Sequence, residues 1–127
     1  MAEHNDTGKW GEQVAVGYLR KHGYTIRDTN WRCGHRDIDI IALTEDMRTL
    51  VFVEVKTRTA SHITRPEDAV DREKIRNIAR AANAYVKMFR ITMELRFDIV
   101  TVVGSEKGDA PPVIEHWEDA FNPMLVF

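Results

Sequence analysis

The residues of this sequence best suited to chemistry are two carboxylates and one lysine, Asp39, Glu54 and Lys56. Carboxylate oxygens are the ligands that Mg²⁺ and Mn²⁺ prefer, with water completing the coordination shell. Such an ion polarises a phosphodiester and lowers the pKa of a bound water. A lysine two residues from a ligand can orient that water or stabilise charge that develops in the transition state. These residue types indicate metal-dependent hydrolysis, with Mg²⁺ or Mn²⁺ as the expected cofactor.

Whether these three residues meet depends on how two predicted strands pair. Residues 37–43 and 50–56 are rich in β-branched and aromatic side chains, and the polar segment between them is short enough for a hairpin. Four cross-strand pairs then match in polarity: Leu43 with Leu50, Ile41 with Phe52, Asp39 with Glu54, and Asp37 with Lys56. A slip of two residues would set Asp39 against an aromatic residue or a lysine, a poorer match. The register therefore predicts that the carboxylates and the ammonium gather at the open end of the hairpin.

The other elements follow from hydrophobic periodicity and turn residues. Helices are predicted over 9–22 and 68–89, and further strands over 24–31, 95–103 and 113–117. Residues 5–7 are candidate caps of the first helix, and Gly23 is its stop signal. On that helix Glu12 lies within about 20° of Leu19, at the border of the apolar face, where a carboxylate points either into a cleft or to solvent. The order α-β-β-β-α-β, with an extra C-terminal strand, predicts one α/β domain over residues 1–127 with a mixed central sheet flanked by helices.

A family resemblance rests on the carboxylate spacing. Asp39, fourteen intervening residues and then Glu54-Val55-Lys56 resemble the PD-(D/E)xK nuclease signature. More closely, the chain resembles the YraN-like family of small bacterial proteins, relatives of archaeal Holliday-junction resolvases. The matching segments are residues 8–12, 30–33, 38–42, 51–58, 66–70 and 96–98, together with Lys74. That family usually has Gly-Glu where this chain has Arg36-Asp37.

The resemblance implies a restriction-endonuclease-like fold and a function. Asp39 and Glu54 would bind the metal, with Glu12 as an auxiliary acid and Lys56 as the water-orienting or charge-stabilising group. The Val55 carbonyl would add a ligand. The implied activity is that of a Mg²⁺-dependent DNA endonuclease, with branched or junction DNA as the expected substrate. Since such junctions have two-fold symmetry, a homodimer is the expected assembly.

Further cationic residues are candidates for nucleic-acid contact. Arg32, Arg36 and Arg58 flank the mouth of the hairpin. On the second helix Lys74 lies on one flank of the apolar stripe, either near the cleft or as a plain surface lysine. The other flank carries Arg72, Arg76, Arg80, Asn83 and Lys87. That row would track a phosphate backbone without reading bases, or it is an ordinary solvated helix face.

Composition narrows the remaining classes of function. A net charge of −2, from 18 basic and 20 acidic residues, argues against a non-specific nucleic-acid coat, which is usually strongly basic. One cysteine, no apolar leader and no membrane-length apolar stretch predict a cytoplasmic protein without a membrane partner. DNA is the expected partner, and RNA is less favoured.

Two alternative functions stay open: a nucleic-acid-binding module that does not cut, and a scaffold for a protein partner. The environment of Asp98 on its strand also stays open.

Overall fold

Five strands form one mixed sheet between two helices in the part of the chain that the computed structural model describes. That part is residues 2–58 and 71–122, with side chains described from residue 8. The elements are α1 (Ala2–Lys21), β1 (Thr25–Cys33), β2 (Arg36–Leu43), β3 (Thr49–Arg58), α2 (Arg72–Met88), β4 (Glu94–Val103) and β5 (Val113–Trp117). The predicted order and α/β class are confirmed. None of the described helices is long and apolar enough to cross a membrane.

The sheet has the strand order β1-β2-β3-β4-β5, so the chain builds it from one edge to the other. Only β3 and β4 run parallel among these neighbours. A parallel pair needs a crossover connection, and α2 lies in that connection. The central strand β3 is apolar on both faces, as a strand covered on two sides must be.

Each helix covers one face of the sheet with an apolar core. On one face Ala15 and Leu19 of α1 pack with Val51 and Val53 of β3. On the other face α2 packs against β3 through the side chain of Tyr85, which is fully buried. The structure therefore has two separate cores, one on each face of the sheet.

Two boundaries of the helices differ from the sequence prediction. The prediction that residues 5–7 cap α1 is wrong, because the helix already begins at Ala2 and these residues lie inside it. A polar residue is compatible with a helix as well as with a cap, so the presence of such residues did not mark a start. The predicted second helix began at residue 68, but residues 68–70 lie outside the described part. The N-cap of α2 is Asp71, whose carboxylate accepts the Lys74 backbone N–H at 2.8 Å.

The predicted register of the β2–β3 hairpin is confirmed where the strands pair. Leu43 lies opposite Leu50 and Ile41 opposite Phe52. The paired segment ends at Ile40 and Val53. The predicted pairs of Asp39 and Asp37 fall beyond this point, so the polar residues do not continue the ladder.

Candidate metal centre

Strands β2 and β3 separate at Asp39 and form a fork, the opening between the two strands. The side chain of Asp39 bridges this opening. Oδ2 of Asp39 accepts the backbone N–H of Val55 at 2.8 Å. A side chain thus connects the two strands just past their last paired residues, Ile40 and Val53. The carboxylate of Asp39 is thereby fixed in the opening between the strands, next to the segment that carries Glu54.

The neighbouring strand β1 is irregular at the same level. Thr29 pairs with Ile40 and Trp31 with Ile38, which leaves Asn30 at the level of Asp39. Asn30 has a φ of 50°, in the left-handed region that asparagine tolerates better than most residues. On a regular strand Ile38 and Ile40 would share a face, but they pack into different cores. The backbone therefore turns over at this level, and the spacing of residues in the sequence gives no sign of it.

Three carboxylates from three elements meet at this fork. Glu54 is only 4 % exposed, and its side chain is in hydrogen-bonding contact with Asp39. Burial, with the contact and charge of Asp39, raises the pKa of Glu54 to about 9. Burial and then the charge of Asp39 also raise the pKa of Glu12 to about 7, although a hydrogen bond with Asn30 opposes the shift. The three carboxylates consequently cannot all be ionised together unless a cation balances their charge. Without such a cation, at least one of them holds a proton.

A lysine from α2 partly compensates this negative charge. Nζ of Lys74 lies 3.3 Å from Oε2 of Glu54, and its side chain is 38 % exposed. Burial alone would lower the pKa of Lys74, but Glu54, Asp39 and Asp37 outweigh it and raise the pKa. Lys56 is half-buried, and its charge is a weaker influence on the pKa of Glu54 than that of Lys74. The cation in direct contact with Glu54 is therefore Lys74, which the sequence left undecided between cleft and surface.

An open cleft of about 510 Å³ reaches two of these carboxylates, Glu12 and Asp39. Its lining residues are Gly8, Lys9, Glu12, Asn30, Arg32, Asp39, Val55 and Thr57. Helix α1 reaches the cleft because Gly11 packs directly on Thr57, where a Cβ would overlap the threonine side chain. This close crossing brings Glu12 to the cleft wall, at the border of the helix's buried face.

The donor atoms at the fork fit a small, hard divalent cation. Asp39 and Glu54 offer oxygen, and Mg²⁺ is typically held by one or two carboxylates with several waters. Among the residues that the structure describes, no three His, Cys, Asp or Glu side chains form a group able to hold a metal ion. The fit is accordingly that of an open site with two protein carboxylates, and a closed protein cage is not formed. Cys33 and His35 form no part of it.

A second polar cluster lies around Asp98 on β4. Asp98 is fully buried and accepts hydrogen bonds from Nε and Nη2 of Arg96, Nε2 of His116 and the backbone N–H of Asp119, at 2.7–3.0 Å. Arg96 also donates to the hydroxyl of Tyr24 at 2.7 Å. The open question about Asp98 is thus answered: it is a buried hydrogen-bond partner.

The other predicted contact residues are spread over the surface. Arg32 lines the cleft, whereas Arg36 and Arg58 are half-buried at the ends of their strands. Three further predicted residues, Arg72, Arg76 and Arg80, are exposed on α2. Sequence reasoning singled out neither Asn30 nor Lys9 as a site residue, although both belong to segments that carry the family resemblance.

Comparison with known proteins gives one consistent result. The family described as "Uncharacterised protein family UPF0102" matches residues 11–102. A UPF0102 protein of Bacteroides thetaiotaomicron is 52% identical over 125 residues, which is 98% of this chain and 99% of that protein. UPF0102 proteins of Parabacteroides distasonis (51% identical, 95% of this chain and 96% of the relative) and Flavobacterium psychrophilum (46%, 95% and 98%) are similar over nearly their full lengths.

Proposed function

The chain belongs to the uncharacterised protein family UPF0102, and we propose that it is a metal-dependent DNA endonuclease centred on Asp39 and Glu54. The observation that supports this most is the meeting of Glu12, Asp39 and Glu54 at the fork between β2 and β3. A protein gains no stability from concentrating acid groups in a half-buried place. Such clusters are characteristic of sites that bind a cation or do acid–base chemistry.

Asp39 and Glu54 would hold a Mg²⁺ or Mn²⁺ ion, with the Val55 carbonyl as a further oxygen ligand. When bound, the ion polarises the scissile phosphate and lowers the pKa of the attacking water. The hydrogen bond from the Val55 N–H keeps Asp39 oriented before any ligand arrives. Preorganised ligands of this kind need not be rearranged when substrate binds.

The surrounding residues have separate tasks in this scheme. Lys56, two residues after Glu54, would orient the water or stabilise the negative charge that develops on the phosphate. Lys74 is the partner of Glu54 before an ion binds, because its ammonium lies 3.3 Å from Oε2 of that carboxylate. Glu12 would act as an auxiliary acid at the cleft wall. In the reaction a water oxygen bonds to phosphorus, one P–O ester bond breaks, and the departing oxygen leaves with a proton.

A second candidate is a nucleic-acid-binding module that does not cut. The ion pair between Lys74 and Glu54 favours it, because it compensates the charge of Glu54 without a metal. The two candidates differ in what happens when a divalent ion is supplied: the nuclease cleaves, and the module only binds.

The test of the proposal is a cleavage assay with purified protein. Labelled four-way junction, flap, single-stranded and linear duplex DNA are incubated with Mg²⁺, Mn²⁺ or EDTA. We expect cleavage that needs the metal and is lost in Glu54→Ala and Lys56→Ala. An exposed-site variant, Glu106→Ala, serves as the matched control and should cut like the wild type. Intact DNA in every lane, with DNA binding retained, would favour the binding module, and cleavage that survives both substitutions would point to a contaminating nuclease.

A further inference from the structure

A second cleft of about 510 Å³ continues from the first along α1 and β1. The two clefts share Lys9, Glu12 and Asn30, so they form one groove. One end of this groove opens on Asp39, and the other passes Arg20. We propose that the groove binds a single polynucleotide strand through its phosphates, with Lys9, Arg20 and Arg32 as the contacting cations; this rests on the proposed function.

The helix side of the groove has a composition that suits a phosphate backbone. Lys9, Gln13 and Arg20 follow one another at helical spacing on one side of α1. Gly17 lies in the same row, and a Cβ at this position would meet nothing within 4 Å. The row thus combines two cations, an amide and an open space. Cations neutralise the strand's charge, and amides donate hydrogen bonds to its oxygens.

The strand side of the groove adds neutral hydrogen-bonding groups and a third cation. Thr29, Asn30 and Arg32 contribute from β1, which is an edge strand of the sheet. None of the described residues that line the two clefts is aromatic. Single-strand sites that hold bases usually stack them on aromatic rings. The groove therefore contacts the backbone and does not select a base sequence.

The dimensions and position of the groove favour one strand over a duplex. Each cleft has a volume of about 510 Å³, within the range of small-ligand pockets, and this scale suits individual nucleotide units of one strand. Because the groove ends at Asp39, a strand that lies in it brings a phosphodiester to the fork between β2 and β3. The exposed arginines of α2 lie beyond the opposite face of the sheet and do not border this path.

The experiment measures equilibrium binding of fluorescent oligo-dT, oligo-rU and a duplex of equal length by anisotropy. EDTA is present so that no strand is cut. The wild type is compared with a Lys9→Ala/Arg20→Ala double variant and with Arg48→Ala, which removes an exposed cation from the β2–β3 hairpin. We expect about a tenfold loss for the double variant and a salt slope smaller by about 0.7 per lost phosphate contact. Arg48→Ala should bind like the wild type.

A third variant, Gly17→Leu, tests the groove without removing any charge. Replacing a helical glycine favours the helix, so the fold is retained or strengthened while the side chain fills the groove. We expect weaker strand binding together with an unchanged circular dichroism spectrum and no loss of thermal stability. Strand affinity equal to that of the wild type in both Gly17→Leu and the double variant would overturn the proposal, as would tighter binding of the duplex.

The oligo-rU arm identifies the type of strand. Equal affinity for both oligonucleotides supports recognition of the shared phosphodiester chain, and preference for oligo-dT supports DNA as the ligand.

A separate titration of Mn²⁺ into strand-free protein tests the proposed function itself. A groove that fails while Mn²⁺ binds and DNA is cut overturns only this inference. Strand binding that depends on the groove, with no Mn²⁺ bound, supports this inference and contradicts the endonuclease.

Discussion

Two polar clusters of this protein each contain a buried carboxylate but are electrostatically opposite. Asp98 is 0 % exposed and Glu54 is 4 % exposed. Burial alone would raise the pKa of Asp98, yet hydrogen bonds from His116, Arg96 and the Asp119 backbone hold it below its ordinary value. The pKa of Glu54 instead rises to about 9, since burial and Asp39 outweigh the charge of Lys74. In the first cluster Asp98 is surrounded by hydrogen-bond donors. In the second cluster Glu54 lies against another carboxylate, that of Asp39.

This difference separates acid groups that stabilise the fold from acid groups that cost it stability. A buried carboxylate that is fully hydrogen-bonded and ion-paired contributes to holding the fold together, and removing it leaves its partners unpaired. A buried carboxylate beside like charges costs stability, and only a proton or a cation relieves that cost. The Asp98 cluster is of the first kind, and the cluster of Glu12, Asp39 and Glu54 is of the second kind.

Asp98→Ala should destabilise the fold by about 3–5 kcal/mol, because it leaves Arg96 and His116 without their buried acceptor. Urea denaturation of the variant and the wild type measures this difference. Asp109→Ala, at an exposed position, is the matched control and should change stability by less than about 0.5 kcal/mol. A loss below about 1 kcal/mol for Asp98→Ala would remove the basis for calling this cluster structural.

Gly11→Ala should cost about 1–3 kcal/mol, as overpacking does, because the new methyl group would overlap Thr57. The same change should weaken activity, since it pushes α1 and Glu12 away from the fork. Thermal denaturation and the cleavage assay together measure both effects. Gly8→Ala is the control, because nothing lies within 4 Å of its Cβ position. Recovery of stability when Thr57→Ala is added would assign the cost to this contact, and an unchanged Gly11→Ala protein would contradict it.

Glu54→Gln should stabilise the metal-free protein at neutral and alkaline pH by roughly 1 kcal/mol, a shift of a few degrees in Tm. The pKa of Glu54 lies above its ordinary value of 4.5 in the folded chain, at about 9. The folded state thus binds the proton more tightly than the unfolded state, and the wild type loses stability as pH rises between these two values. Tm measured in EDTA from pH 5 to 9 should show this decline in the wild type and a smaller one in the variant. Parallel curves would show that Glu54 is not strained by its neighbours.

Lys74→Gln should have the smallest effect on stability, within about 1 kcal/mol, because its ion pair with Glu54 is partly exposed. It should tighten Mn²⁺ binding by a few-fold, since the ammonium and the metal compete for the same carboxylate. Calorimetric titration of Mn²⁺ into both proteins measures this change. Weaker Mn²⁺ binding in Lys74→Gln would mean that the lysine organises the ligands and does not compete with the ion.

The sequence predicted the parts of this structure that depend on local periodicity. Polarity matching gave the pairing of Ile41 with Phe52, and alternation placed Glu54 on the same face of β3 as Phe52. In the structure α2 covers this face. The fork at Asp39 was not predicted. It arises where a hydrogen bond to the Asp39 side chain replaces the backbone pairing of β2 with β3, and where Asn30 adopts a left-handed backbone conformation. Both features depend on neighbouring strands and not on the order of residues along one strand.

Contacts between residues that are far apart along the chain were not predicted from the sequence either. The ion pair of Lys74 with Glu54 joins a helix to a strand, and the long-range hydrogen bonds to Asp98 come from β5 and the segment after it. Alternation along β4 could not tell a buried acid from an outward one, since Asp98 shares its face with apolar Val100. The start of α1 was missed for a different reason: a polar N-terminal segment looks the same in a helix and in a loop.

The central claim is that the carboxylates at the fork form a divalent metal site, and Mn²⁺ titration tests it most directly. Electron paramagnetic resonance of free Mn²⁺ would be followed as wild type, Asp39→Asn, Glu54→Gln and the exposed-site control Glu106→Gln are added. We predict that wild type and Glu106→Gln bind Mn²⁺ alike, and that each of the two fork variants binds it at least tenfold more weakly. Equal binding by the wild type and both fork variants, or no binding by any of the proteins, would contradict the claim.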